Sequence, residues 1–273
     1  MAAVPAPHYL AAVDAFSRSW TALLAAVAEL TDEDFGRPSG CAGWLVRDLV
    51  CHLVIDAQDV LITLVTPVAG EATADAAAYW SVEDRPPTGD DPLDALTVRL
   101  AAAYEDPRLL KFHLDDVGSA AGRAARLADP GVRVGTQDMV LTVGDYLGAY
   151  VLEWTLHHLD LIAHLPDAAD PPAEGLSRSR ALLEEIAGAP FPASFTDKDA
   201  LLAGTGRRAP TARRRPHSAN WRRECRCSSA ETAGGAPEGG QADRVRRPHR
   251  SPCGAEAGPA VRHSHGWSAA PVR

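Results

Sequence analysis

The chain has 273 residues, 46% of them hydrophobic and 6% aromatic, which is enough for one sizeable core with or without a tail. A formal net charge of -9 argues against nucleic acid or an anionic membrane as the partner of the whole molecule. That average hides a split: residues 205–273 carry fourteen arginines against five acidic residues, so the preceding part is far more acidic than the total.

Residues 8–30 place Leu10, Val13, Phe16, Trp20, Leu23, Leu24, Val27 and Leu30 at steps of mostly three and four, which predicts a first helix. A polar stretch punctuated by Gly and Pro, 31–43, leads to a second helix over about 45–65, closed by Pro67 and Gly70. The longest apolar run, near residues 60–69, is too short to span a bilayer. A short helical piece is expected through 73–80, then a loop at Pro86-Pro87-Thr88-Gly89. Asp91 before Pro92 opens a third helix, expected to reach about Phe112. A Gly- and Ala-rich connection should follow, with a turn at Asp129-Pro130-Gly131.

Thr142 with Asp145 resembles a capping box at the head of a helix running to about His164, closed by Pro166. Ser177 is expected to cap a shorter helix through Ile186, and Thr196 with Asp199 another that Gly204 stops. Four principal helices, smaller additions and hardly any alternating pattern predict an all-α helical bundle over residues 1–206.

Residues 207–273 are rich in Arg, Pro, Gly, Ala and Ser and show no period, so they are expected to form a disordered tail. The lack of interleaved aromatics weighs against an RNA-binding role for it. Written with GC-rich codons and read two nucleotides later, residues 217–229 spell a segment suited to close a helical bundle. The expectation is therefore a frameshift product beginning near Thr211, which resequencing the coding DNA tests. Five cysteines (Cys41, Cys51, Cys225, Cys227 and Cys253) show no CxxC spacing, and no basic segment precedes an apolar run at the N-terminus. A cytoplasmic location is the expectation.

The strongest chemical signal lies between Val143 and His164. Glu153, His157, Asp160 and His164 follow at steps of four, three and four, one stripe of a helix. Leu152, Leu156 and Leu159 flank it on one side and Val151, Trp154 and Leu161 on the other, which predicts a central helix rather than a surface one. Polar groups there need partners: a metal ion, or a hydrogen-bonded polar core. His52, in the apolar run Leu49–Ile55, is a third candidate ligand or a satisfied core histidine. Asp48, one turn before it, is a candidate to orient its ring, and Asp56, one turn after, is a competing ligand. Cys51 adjoins His52 in sequence but points about 100° away, so neither it nor Cys41 is expected to act as a nucleophile. No phosphate loop, nucleophile elbow or dinucleotide fingerprint occurs.

The segment Pro38-Ser39-Gly40-Cys41-Ala42-Gly43-Trp44-Leu45-Val46-Arg47-Asp48-Leu49-Val50-Cys51-His52-Leu53 resembles the signature of mycothiol-dependent maleylpyruvate isomerase-like proteins of actinobacteria, part of the DinB-like four-helix metalloprotein superfamily. Glu153-Trp154-Thr155-Leu156-His157-His158-Leu159-Asp160-Leu161 resembles its second half, and 195–208 the closing motif of a compact subfamily. The resemblance implies a DinB-like four-helix bundle with a divalent metal, zinc by expectation, held by His52, Glu153 and His157. It also implies mycothiol as co-substrate. Asp48, His158 and Asp160 are weaker catalytic or proton-handling candidates, His158 being expected to lie off the metal stripe. Three protein ligands leave the fourth position of zinc open for a thiol, whose thiolate the cation stabilises. The expected activity is that of a mycothiol S-transferase or isomerase-like enzyme, monomeric or homodimeric, with an electrophilic substrate and no nucleic-acid or membrane partner. A non-enzymatic metal-stabilised binding module and a metal-assisted hydrolase are the alternatives. The characterised isomerases carry a further C-terminal domain, of which nothing after residue 212 shows a pattern.

Overall fold

Apolar residues at helical spacing build α1 (Pro7–Glu29) and α2 (Val46–Leu64) within a residue or two of the expected limits. The structure is a computed structural model that describes residues 7–83, 92–207 and 260–262, all within one compact unit. Asp48 sets the start of α2, its carboxylate accepting from the otherwise orphaned Leu45 N–H at 2.8 Å. Residues 73–80 form no helix; a turn at 76–79 stands there instead.

The third expected helix is two. α3 (Pro92–Ala102) ends before Asp106-Pro107, and α4 (Pro107–Leu127) starts there, with Asp106 Oδ1 accepting from Arg108 N at 2.9 Å. The Gly- and Ala-rich stretch is therefore the body of a helix, not a connection. Gly118 is there for contact: a Cβ on it would lie 2.7 Å from the Trp20 ring, and Trp20 Nε1 donates to Gly118 O at 2.8 Å. Propensity is overruled here by the close approach of two helices.

Arg133–Thr136 and Met139–Thr142 form a small antiparallel hairpin, β2 and β3, preceded by β1 (Ser81–Glu83). Its turn holds Gln137 and Asp138 at φ 48° and 60°, the left-handed pair a two-residue hairpin requires. Gln-Asp is a weak turn signal, which is why the pattern reading passed over it. α5 (Val143–Leu161) follows at once, its Thr142 cap accepting from Asp145 N at 3.0 Å. α6 (Ala173–Ala187) starts four residues before the expected Ser177 cap, and α7 (Asp197–Gly204) is capped by Thr196. β4 (Ala260–Arg262) pairs with β1; the rest of the expected tail and the suspected frame change lie outside the described residues.

The result is the expected all-α bundle, with the hairpin as its one departure in residues 92–207. α1 packs on α5 and α4, α2 packs on α4, α6 packs on α5, and α7 packs on α6. All residues of α5 except Asp145 and Gly148 are buried, so it is the central helix that its two apolar flanks predict. The Trp20 and Trp154 rings stack at 4.1 Å between centroids, and the edge of Phe16 meets Trp154 at 5.9 Å. No helix of the described residues is long and apolar enough to cross a membrane.

Candidate metal centre

The helical repeat puts His52 and Asp56 on one face of α2 and Glu153 and His157 on one face of α5. The two faces meet. His157 Nε2 lies 2.9 Å from Glu153 Oε1, His52 Nε2 lies 3.6 Å from the same oxygen, and Asp56 Oδ2 lies 3.2 Å from His52 Nε2. One donor atom from each of the four residues lies within 4.8 Å of every other. Tetrahedral zinc with bonds of about 2.0–2.2 Å separates its ligands by roughly 3.3–3.6 Å, so the separations of 2.9, 3.2 and 3.6 Å lie within a few tenths of an ångström of what such an ion needs. Side-chain exposures of 12% for His52, 7% for Glu153, 10% for His157 and 0% for Asp56 leave only a narrow opening. The Trp44 ring, 5.2 Å from that of His52, borders the histidine that is most exposed.

Asp160 stands behind His157. Its Oδ2 lies 3.2 Å from Nδ1 of that ring, the nitrogen turned away from Glu153. Arg207 holds Asp160 in turn with two bonds of 2.7 Å, from Nε to Oδ1 and from Nη2 to Oδ2. Burial opposes charge on Asp160, yet the Arg207 guanidinium and the His157 ring outweigh it and hold the carboxyl well below its usual range. Burial likewise opposes protonation of His157, but the Glu153 and Asp160 carboxylates prevail and raise its pKa well above that of a free imidazole. Those two carboxylates thus favour a proton on His157 in the metal-free centre, and a cation held by the ring would compete with that proton.

The loop before α2 docks on this end of α5. Gly40 N donates to Asp160 O at 2.8 Å, and a Cβ on Gly40 would come within 2.8 Å of the Asp160 backbone. Only glycine allows that approach. It brings Cys41 Sγ to 3.3 Å from Asp160 Oδ2 and 3.9 Å from His157 Nδ1, so Cys41 is part of the site's surround and not mere packing. Burial and then the Asp160 charge push its thiol pKa up, which makes it a thiol rather than a thiolate. Cys51 is buried apart from the centre, its pKa pushed up by burial to about 11.

The structure thus brings together His52, Glu153, His157, Asp56 and Asp160. Asp48 caps α2 and lies 3.5 Å from Arg47 Nε, spending its carboxylate on the helix start and not on His52. His158 turns away to donate from Nε2 to Ala169 O at 3.1 Å, and burial lowers its pKa. His164 lies past the end of α5 and is exposed, because the helix stops at Leu161. Arg207, assigned to the tail by its composition, was missed; nothing in its neighbours' pattern points to Asp160. Tyr150 and Tyr146 were also missed, though they extend the Glu153–His157 stripe backwards at steps of three and four. Their hydroxyls donate to Asp59 Oδ2 at 2.9 and 3.1 Å, continuing the polar seam beyond Asp56.

A family model described as the mycothiol maleylpyruvate isomerase N-terminal domain matches residues 16–162, a span that contains all four donors. No curated protein matches the chain, and no solved structure does.

Proposed function

Because the chain belongs to the mycothiol maleylpyruvate isomerase N-terminal domain family, we propose that it is a metal-dependent enzyme of the mycothiol S-transferase or isomerase-like kind, acting on an electrophilic small molecule. His52, Glu153 and His157 hold the metal, which we take to be zinc. The observation that carries this reading is the convergence of buried imidazole and carboxylate donors from two helices within 4.8 Å. A divalent cation bound there lowers the pKa of an entering thiol and so supplies the thiolate nucleophile at neutral pH.

The chain's own groups prepare that chemistry. Asp160, clamped by Arg207, fixes the ring of His157 and its tautomer from the far nitrogen. The apolar packing around α5 keeps the donors out of bulk water, which strengthens every charge interaction among them. Trp44, whose ring lies 5.2 Å from that of His52, borders the most exposed donor and is a side chain an entering thiol would meet. A cytoplasmic setting, where low-molecular-weight thiols stay reduced, belongs to the same proposal.

Metal analysis of protein purified without chelator, beside His157→Ala, is the first test: about one equivalent in the wild type and none in the variant is expected. Turnover of electrophiles by the loaded protein is the second. Consumption only with added mycothiol supports the reading. Consumption without thiol points to metal-assisted hydrolysis, and loaded protein without turnover points to a metal-stabilised binding module.

A further inference from the structure

We propose that Asp56 is a fourth metal donor, so that the resting centre is filled by four protein groups and a thiol must displace this carboxylate or raise the coordination number to five. This rests on the metal reading above. The argument comes from which nitrogen each carboxylate faces. Around a metal-bound histidine, a supporting carboxylate sits on the ring nitrogen that does not touch the ion. His157 shows both positions: Glu153 faces Nε2 at 2.9 Å and Asp160 faces Nδ1 at 3.2 Å. At His52, Asp56 Oδ2 lies 3.2 Å from Nε2, the same nitrogen that faces Glu153 Oε1 at 3.6 Å. Asp56 therefore occupies the inner side, with Glu153, and not the supporting side that Asp160 takes.

Two further observations agree. Each helix contributes one histidine and one carboxylate four residues apart, His52 with Asp56 and His157 with Glu153, so the set is balanced across the interface. Asp56 is also fully buried, and two carboxylates enclosed in an apolar interior are balanced in charge by one divalent cation. The next acidic residue on the stripe, Asp59, is served differently, by the hydroxyls of Tyr146 and Tyr150.

The test is titration of the metal-free full-length chain with Co(II), reading ligand-field absorption and, by competition with a chromophoric chelator, affinity. Asp56→Ala and the isosteric Asp56→Asn are compared with Asp160→Asn, each checked for folding by circular dichroism. The Asp56 variants are expected to lose more than the roughly 10–100-fold that a supporting partner costs, and to change the cobalt spectrum. Asp160→Asn is expected to stay within that range and keep the wild-type spectrum. Asp56→Asn with wild-type spectrum and affinity overturns the assignment while leaving the metal reading intact. A wild-type chain that takes up no cobalt overturns both.

Discussion

α5 presents two buried faces that are held by different physics. Toward α1 it offers Trp154, packed on Trp20 and Phe16, where contact area and shape supply the stabilisation and no direction is demanded. Toward α2 it offers His157, Glu153, Tyr150 and Tyr146, whose polar atoms must each meet a partner at hydrogen-bond distance. Burial is nearly equal on the two faces. The apolar one makes the fold, whereas the polar one is tolerated because the fold is already secured elsewhere, and that separation lets the centre be tuned for ligands.

Single substitutions should therefore dissociate the two faces. The largest effect is expected for Trp154→Ala, which should lower unfolding free energy by about 3–5 kcal/mol in denaturant titrations. The folded fraction should still bind metal with near wild-type affinity; a parallel collapse of affinity would mean the faces are one unit. Glu153→Gln should do the reverse. Metal affinity should fall by more than about 100-fold, while the metal-free chain changes by no more than about 1 kcal/mol, since the amide still accepts from His157. Calorimetry on both forms checks it. The smallest effect belongs to the cap they share: Thr142→Ala should lower thermal stability by about 1 kcal/mol and leave affinity unchanged.

Legibility in the sequence follows the same division. The apolar periodicity of α1, α2 and α5 is local and was readable, as were the Thr142 and Thr196 caps and the Glu153, His157 and Asp160 stripe, whose side chains do meet. α4 was not, because its Gly- and Ala-rich run reads as a connection until Trp20, almost a hundred positions away, is seen to need the space at Gly118. The hairpin hid behind an uncommon Gln137-Asp138 turn. Asp48 and Asp56 flank His52 symmetrically in sequence, one turn to either side, and only the position of the helix start shows that the first is a cap. Arg207 and Cys41 reach Asp160 from opposite ends of the chain, a meeting that no periodicity encodes.

One consequence concerns how the molecule assembles. A helix with no water-facing side has nothing to gain from forming alone, and α5 is such a helix. Its main apolar partner, α1, comes from the other end of the bundle's sequence, so a long intervening segment must be gathered in before Trp154 finds Trp20. Such distant pairings slow the search, and the collapsed chain meanwhile shows water the greasy surfaces that later vanish inside. The part of the protein best protected once complete is thus the part longest at risk while it is being made.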